Sequence, residues 1–518
     1  MKRSWLLIAG LVTLVALLGT TFLFLPSVGA RIFLSPDETA VAASVRSFVE
    51  TKSFSIIDPI FFSTPWAHPR SFVVTENRMV PVGFLGMPAL LVIPYRALGG
   101  YAFMLFTPLL ALLTVIPLLS FTKKWGRLGQ LATIVGWMTF PLVILYANRG
   151  LFPNLPVICL TIWAAWIIWR SEDHAELVIA GILAGMALLI RPIEAVWVLP
   201  WVAYAFIDRE RGTKQLQRWN AALYIIVPLF IVCLVGAWIG KETYGQWLIS
   251  GYQLRDPIIN AGAEVTTVAP AASKSWFESW PFGFHPRNVL FNVRAYLMGY
   301  LFPWFLLMVG TVLLLWREKT SRRFILLAAY TIGVLSLIYG QALYQDHVRI
   351  NHVSLANSFL RYLLPVSVFA ALSLGWFVSL VRRSFPRYGM VFALIVTTSM
   401  GLFGWWTAFA RDDEGLIQNR IELLKYTEVR REAASALDPL TIVFSERSDK
   451  LFFPIWRAVS PMPTKERLHE LLESGKTPVA FFLRTAMPEQ IESWRVYGFK
   501  LEPVFEAGNE TLYRVTIL

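Results

Sequence analysis

Ser35-Pro36-Asp37-Glu38 sets two adjacent carboxylates just past the first long apolar run of this chain. A carboxylate held where a membrane helix surfaces can act as general base toward an acceptor hydroxyl, so Asp37 and Glu38 are the candidate catalytic pair. Pro36 also favours a helix start here, and acidic residues in a first turn suit the helix dipole with no catalytic role at all. Asp58, His68, Arg70, Glu76 and Arg78 follow in the same stretch. A second carboxylate can position an acceptor or help hold a divalent cation such as Mg or Mn, and His68 or an arginine can meet phosphate. Ordinary surface charge is the plainer account of most of them.

Cationic residues gather elsewhere. His347-Val348-Arg349-Ile350-Asn351-His352 is closely followed by Arg361-Tyr362-Leu363-Leu364-Pro365, and Arg149 falls in a short turn between apolar runs. A guanidinium offers a planar fork matched to phosphate oxygens, and imidazoles add hydrogen bonds or charge. Arg349, Arg361, Tyr362, His347, His352 and Arg149 are therefore candidate phosphate-binding residues, with headgroup anchoring and snorkelling as the competing accounts. Arg191, beside Pro192 in an apolar stretch, can simply pair with Glu194 one turn on. The spacing of His347 and His352 does not align them on a helix face, and no acidic residue lies between them, which argues against a metal there. The chain has no P-loop, GxSxG elbow, HExxH or dinucleotide fingerprint in a strand-to-helix setting.

What must position these groups is a membrane bundle. The 518 residues are 56% hydrophobic, with a mean hydropathy of +0.54, far above what a water-soluble core of this length needs. Lys2 and Arg3 precede an apolar run from Trp5 to Pro26. It exceeds the usual h-region of about 7–15 residues, so it reads as an uncleaved first span and not as a signal peptide ending at Val28-Gly29-Ala30. Further spans are expected at Tyr101 to Phe121, Leu128 to Tyr146, Pro153 to Trp169, Glu176 to Ile190, Glu194 to Ile207, Ala221 to Gly240, Ala295 to Trp316, Phe324 to Tyr344, Phe359 to Val381 and Gly389 to Phe409. The reading is a mainly α, polytopic bundle of about 11–13 transmembrane helices. Gly83 to Leu98, with Pro88 and Pro94, is set apart as re-entrant or interfacial.

Basic clusters from Lys123-Lys124 to Arg382-Arg383 fall between alternate spans, which places them and Met1 in the cytoplasm under the positive-inside rule. The other face then receives Arg31 to about Val82, Lys241 to Arg294, and everything after Arg411. Of the formal charge of +13, residues 411–518 hold 15 Lys/Arg against 17 Asp/Glu, leaving 32 against 17 for the rest. The excess belongs to membrane loops and not to a nucleic-acid surface. Cys159 and Cys233 both sit in apolar runs and offer no disulfide framework.

Two domains are expected. Residues 1–410 form the transmembrane catalytic part, with outer loops at 28–82 and 241–294, and 411–518 form a small extracytoplasmic α/β domain. In the latter, Glu414 to Ala436 and Thr464 to Ser474 read as helices, and Thr441 to Phe444, Pro478 to Leu483 and Thr511 to Ile517 as strands.

Pro36-Asp37-Glu38 after a first span, Leu189-Ile190-Arg191-Pro192 with Glu194, and Arg361-Tyr362 with Pro365 at a late span resemble the GT-C superfamily of integral-membrane glycosyltransferases. The bacterial branch related to protein mannosyltransferases and aminoarabinose transferases is the most similar, over roughly residues 1 to 410. The resemblance implies a polyprenyl-phosphate sugar donor and inverting transfer on the outer face of the plasma (inner) membrane, to a lipid, glycan or protein acceptor. Asp37 matches the proposed base, Glu38 its neighbour, and Arg361 with Tyr362 the pair near the donor. Asp58, His68, Glu76 and Arg78 become acceptor or accessory candidates, and no cofactor is required beyond an optional divalent cation. Met79-Val80-Pro81-Val82 stands where the family has an aromatic-proline-proline start to its post-loop helix. A transporter or flippase of a lipid-linked glycan is the alternative, although such proteins place coupling charges near the bilayer midplane in repeated halves. A scaffold whose final domain binds a partner is a third reading.

Overall fold

The computed structural model describes residues 32–59, 64–75, 78–209, 215–254, 282–316, 319–344, 352–411, 414–473, 477–485 and 487–518. The expected span from Trp5 to Pro26 lies outside them, as do Glu76, His347 and Arg349. The chain is a multi-pass membrane protein. Among the described residues five helices are long and apolar enough to cross a bilayer: Gly86–Phe121, Asn220–Tyr244, Ser321–Tyr339, Val366–Ser384 and Gly389–Phe409. Two bent pairs raise the number to as many as seven, and the shorter apolar helices Asn154–Arg170 and His174–Ile190 join them.

Prolines explain where the structure departs from the spans expected above. Gly86–Leu98 is not a separate piece: it passes through a 3-10 turn at Gly99–Tyr101 into Ala102–Leu113, and Gly86–Phe121 is one 36-residue apolar stretch. Pro94 and Pro108 sit inside these helices without ending them, as apolar surroundings and neighbouring helices permit. The run from Leu128 to Tyr146 instead bends by 53°. There Phe140, forced out of the helical region by Pro141, is extended at φ −62°, ψ 126°. The run from Ala295 to Trp316 bends by 95° after Val293–Tyr300.

Cα packing divides the chain into two compact units that do not follow chain order. One comprises the described residues of 104–236 and 264–419; the other comprises those of 24–103, 237–263 and 420–518. In the first, Gly126–Thr139 packs along Val366–Ser384 through glycines. A Cβ on Gly375 would come within 1.9 Å of Thr133 Oγ1, and one on Gly136 within 3.0 Å of Ala371 Cα. Hydrocarbon gives apolar side chains no reason to prefer protein over lipid, so close backbone approach supplies the packing here.

The second unit is built on a five-stranded sheet: β3 (Ile442–Ser445), β4 (Arg457–Val459), β5 (Val479–Arg484), β6 (Phe499–Ala507) and β7 (Glu510–Ile517), in the order β4-β3-β5-β7-β6. It follows a separate hairpin of β1 (Phe72–Thr75) and β2 (Arg78–Pro81). β3 runs parallel to β4 and β5, while β7 is antiparallel to β5 and β6. Alternation along the central strands makes both faces apolar. Ile442, Phe444, Val479 and Phe481 pack with Leu468, Leu471, Ile491 and Trp494 from the helices Lys465–Glu473 and Pro488–Val496. Val443, Ala480 and Phe482 look the other way, into a core shared with Ala40 and Ala43 of helix Pro36–Thr51, with Phe72 and Met79 of the hairpin, and with Val429 and Ala433 of helix Leu416–Ala436. Residues from the two ends of the sequence thus close one core. Met79 to Pro81, which stand in place of the family's helix-opening motif, pair as β2, and the helix begins at Gly86.

Gly375→Val should lower the unfolding temperature of detergent-solubilised protein, because the overpacked contact costs about 1–3 kcal/mol or more. Gly310→Ala, where a Cβ meets nothing within 4 Å, should leave it unchanged.

Candidate active site

Ser35 caps the helix Pro36–Thr51: its Oγ accepts from the Asp37 backbone N–H at 3.2 Å, and its carbonyl accepts from Thr39 N at 3.1 Å. Pro36 fills the first turn, where its missing N–H costs nothing. Successive residues on a helix point about 100° apart, and the acidic pair is split accordingly. Asp37 is exposed, whereas Glu38 is turned inward with 4% of its surface accessible. Ser71 Oγ donates a 2.7 Å hydrogen bond to Asp37 Oδ1, fixing one oxygen of the exposed carboxylate. Nothing in the spacing of residues 37 and 71 announces that pair.

Other acidic and basic residues between positions 58 and 78 make contacts that tie the chain together. Asp58 accepts from Arg457 through both oxygens, at 2.7 and 2.9 Å, and so ties the loop to β4 at the sheet edge. His68 is buried with Nδ1 3.0 Å from the Pro69 carbonyl oxygen. Arg78 donates to the carbonyl of Glu242 at 3.2 Å. Among the described residues no group of three or more His, Cys, Asp or Glu is arranged to hold a metal ion.

In the first unit the arginines singled out from sequence come together around aromatic rings. Arg149 and Arg361 each place Cζ 4.6 Å from the centroid of Phe152, which is itself buried. Arg149 reaches this place because it ends the helix Pro141–Asn148, and Phe152 because the chain turns back two residues later, its N–H bonding the Arg149 carbonyl at 3.2 Å. Arg361 lies on the short helix Ser358–Tyr362, capped by Asn357, and donates to Ser358 Oγ at 3.0 Å and to Tyr362 Oη at 3.3 Å. Tyr362 stacks on Tyr339 with centroids 4.0 Å apart and meets Tyr344 at 5.7 Å.

Arg191 completes the cluster. Its guanidinium lies 4.7 Å from the Tyr362 ring centroid, pairs with Glu194 at 3.0 Å and donates to Tyr339 Oη at 3.2 Å. Glu194 in turn accepts from Tyr339 Oη at 3.0 Å and from Trp197 Nε1. The expected Arg191–Glu194 pair is therefore present, buried and braced on both oxygens. Three guanidiniums gathered on tyrosine and phenylalanine faces concentrate positive charge at one place, and the planar guanidinium fork is matched to the oxygens of an anionic group. Phe152, Tyr339 and Tyr344 were not apparent as site residues from sequence; their only signal is an aromatic near an arginine, common in a chain with 75 Phe, Trp and Tyr. His352 is half-buried, its carbonyl 3.5 Å from Tyr296 Oη.

The same unit encloses a cavity of about 1060 Å³, lined by Trp201, Tyr204, Phe305, Phe324, Phe369 and Trp376 among others, with Lys124 and Arg383 also on its wall. Trp201 on its wall meets Trp197, the partner of Glu194, at 6.0 Å, while the three arginines themselves are not among its lining residues. A volume of that order takes a large apolar ligand.

A multi-pass bundle with an acidic helix start in its first loop and a late Arg-Tyr pair is GT-C-like, and comparison with solved structures bears this out. ArnT from Cupriavidus metallidurans, an aminoarabinose transferase, matches in its apo state with a TM-score of 0.55 at 13% identity and in its undecaprenyl phosphate-bound state with a TM-score of 0.55 at 14% identity. Each alignment covers 99% of this chain and 98% of the other. The GT-C-like fold is thus shared over the full length. No protein-family profile matches the chain, and no curated protein sequence does.

Glu194→Ala should destabilise the protein by about 3–5 kcal/mol, since it leaves the Arg191 guanidinium buried without its counter-charge. Tyr339→Phe, which removes one hydroxyl, should cost about 1–3 kcal/mol. Chemical denaturation in detergent, followed by tryptophan fluorescence, compares the two.

Proposed function

We propose that this protein is a glycosyltransferase that moves a sugar from a polyprenyl-phosphate donor to an acceptor on the extracytoplasmic side of the plasma (inner) membrane. The observation that carries the reading is the gathering of Arg149, Arg191 and Arg361 on the rings of Phe152 and Tyr362, in a unit that also holds a large apolar cavity. A lipid-linked phosphate demands that combination: cations for the phosphate and apolar space for the chain. The full-length fold likeness to a transferase solved with undecaprenyl phosphate supports it.

In this reading Asp37 takes the proton of an acceptor hydroxyl as its oxygen attacks the anomeric carbon. The carbon–oxygen bond to phosphate breaks with inversion, and the polyprenyl phosphate departs with the electron pair. Arg361 and Arg149 stabilise the charge that grows on the leaving oxygen. Because that leaving group is already a stabilised anion, no nucleotide is needed. A divalent cation is an optional addition, and the acceptor is a lipid, glycan or protein. The first outer loop and the C-terminal sheet lie outside the cell membrane in this assignment, with Met1 in the cytoplasm.

Purified protein incubated with a panel of polyprenyl-phosphate sugars, with and without Mg or Mn, should transfer or release sugar from one member. Asp37→Asn should reduce turnover about 10²–10⁴-fold with unchanged thermal unfolding, and a fully active variant removes Asp37 from the mechanism. Arg361→Gln should raise the donor KM by roughly tenfold or more, the loss of one charge-assisted contact.

A further inference from the structure

The carboxylate assigned as base is held by one hydroxyl, and both partners of that hydrogen bond are gripped from a single dipeptide more than 370 residues away in sequence. Asp449 opens the short helix Asp449–Phe452 between β3 and β4 and is fully buried. It accepts from the Arg70 backbone N–H at 2.9 Å and from Arg70 Nε at 2.8 Å, with the guanidinium's second nitrogen 2.7 Å away. That nitrogen also reaches the carbonyl of Arg447. Arg70 immediately precedes Ser71, whose hydroxyl bonds Asp37. The next residue, Lys450, donates at 2.6 Å to the carbonyl of Leu34, which immediately precedes the capping Ser35. Phe453, at the end of the same helix, packs on Phe72 with centroids 5.1 Å apart.

A buried carboxylate is costly unless its oxygens are satisfied, and here Arg70 supplies donors from both its backbone and its side chain. The cost is met at the backbone as well as the side chain, so the peptide of Arg70 is fixed and the direction of the Ser71 side chain with it. We propose that Asp449 and Lys450 act as a two-pronged clamp, one prong setting Ser71 and the other setting the helix start that carries Asp37, and that Ser71, Asp449 and Lys450 are positioning residues for that carboxylate. The C-terminal sheet is then a jig for the base, and not only a cover over it. The functional consequence rests on Asp37 being the base, whereas the clamp itself does not.

The test reads the clamp without any substrate. Full-length protein in detergent is labelled with a water-soluble carbodiimide and glycine ethyl ester, and labelling of individual carboxylates is followed by mass spectrometry. A carboxylate oxygen occupied by a hydroxyl donor reacts more slowly than a free one. Ser71→Ala should raise Asp37 labelling about two- to fivefold with exposed Glu50 unchanged, and Ser71→Thr should restore the slower rate. Lys450→Met, the milder of the clamp variants, and Asp449→Asn should each raise it similarly. Combining either with Ser71→Ala should add nothing further, because both act through the same hydrogen bond. Unchanged Asp37 labelling in Ser71→Ala, or clamp effects that add to it, overturns the proposal. In a preparation active with a panel donor, Ser71→Ala should lower kcat about tenfold with donor KM unchanged. Continued turnover of Asp37→Asn alongside the expected labelling would defeat the base and leave the clamp standing.

Discussion

A sheet that is apolar on both sides has to be covered on both sides, and this requirement organises the unit that carries Asp37. Helices Lys465–Glu473 and Pro488–Val496 cover one face. The other is covered by Ala40, Ala43, Phe72 and Met79, together with Leu451, Phe452, Phe453 and Trp456 and with help from helix Leu416–Ala436. The small side chains Ala40 and Ala43 share this core with Phe452 and Phe482, and the acidic start of their helix is placed as a result. Each large apolar side chain buried this way, such as Phe72 or Met79, contributes on the order of 1.5–3 kcal/mol, so the position of the acidic turn is secured by packing, with hydrogen bonds to Ser71 and Leu34 refining its angle.

The arginine cluster is governed by a different balance. A guanidinium in a membrane protein is expensive unless its face and its donors are both used. Arg191 spends its donors on Glu194 and Tyr339, while Arg149 and Arg361 rest against Phe152. Arg191 is locked into a buried ion pair, and the other two share one buried ring. Aromatic stacking keeps the forks ordered beforehand, which reduces what binding must spend on fixing long side chains.

Much of this was readable from the residues. Unbroken apolar runs gave the spans, and Gly389 to Phe409 matches its helix end to end. The alternating runs around Val443, Phe481 and Tyr513 gave three of the five C-terminal strands. β4 was hidden because three residues carry too little periodicity, and β6 because Pro503 interrupts it with an irregularity in pairing. The strand at Met79 was not apparent because four residues ending in Pro81 carry little periodicity. Arg361 with Tyr362 and Arg149 could be selected because arginine is rare in apolar sequence. Ser71, Asp449 and Lys450 could not, since a serine or a surface-looking Ser-Asp-Lys carries no periodic or compositional mark, and their roles arise only from contacts across nearly the whole chain.

That last separation bears on how the protein is made. The bond between Arg70 and Asp449 joins residues 379 positions apart, and β7, paired to β5 in the middle of the sheet, is synthesised long after helix Pro36–Thr51. The helix bearing Asp37 then waits, its alanine stripe uncovered, until the strands that cover it have been made and have folded. Long-range closure of this kind is slow and exposes apolar surface in the interim. A nascent chain cut short before residue 440 would therefore carry the described apolar helices from Gly86–Phe121 to Gly389–Phe409 and the acidic turn, yet lack the sheet against which that turn is set.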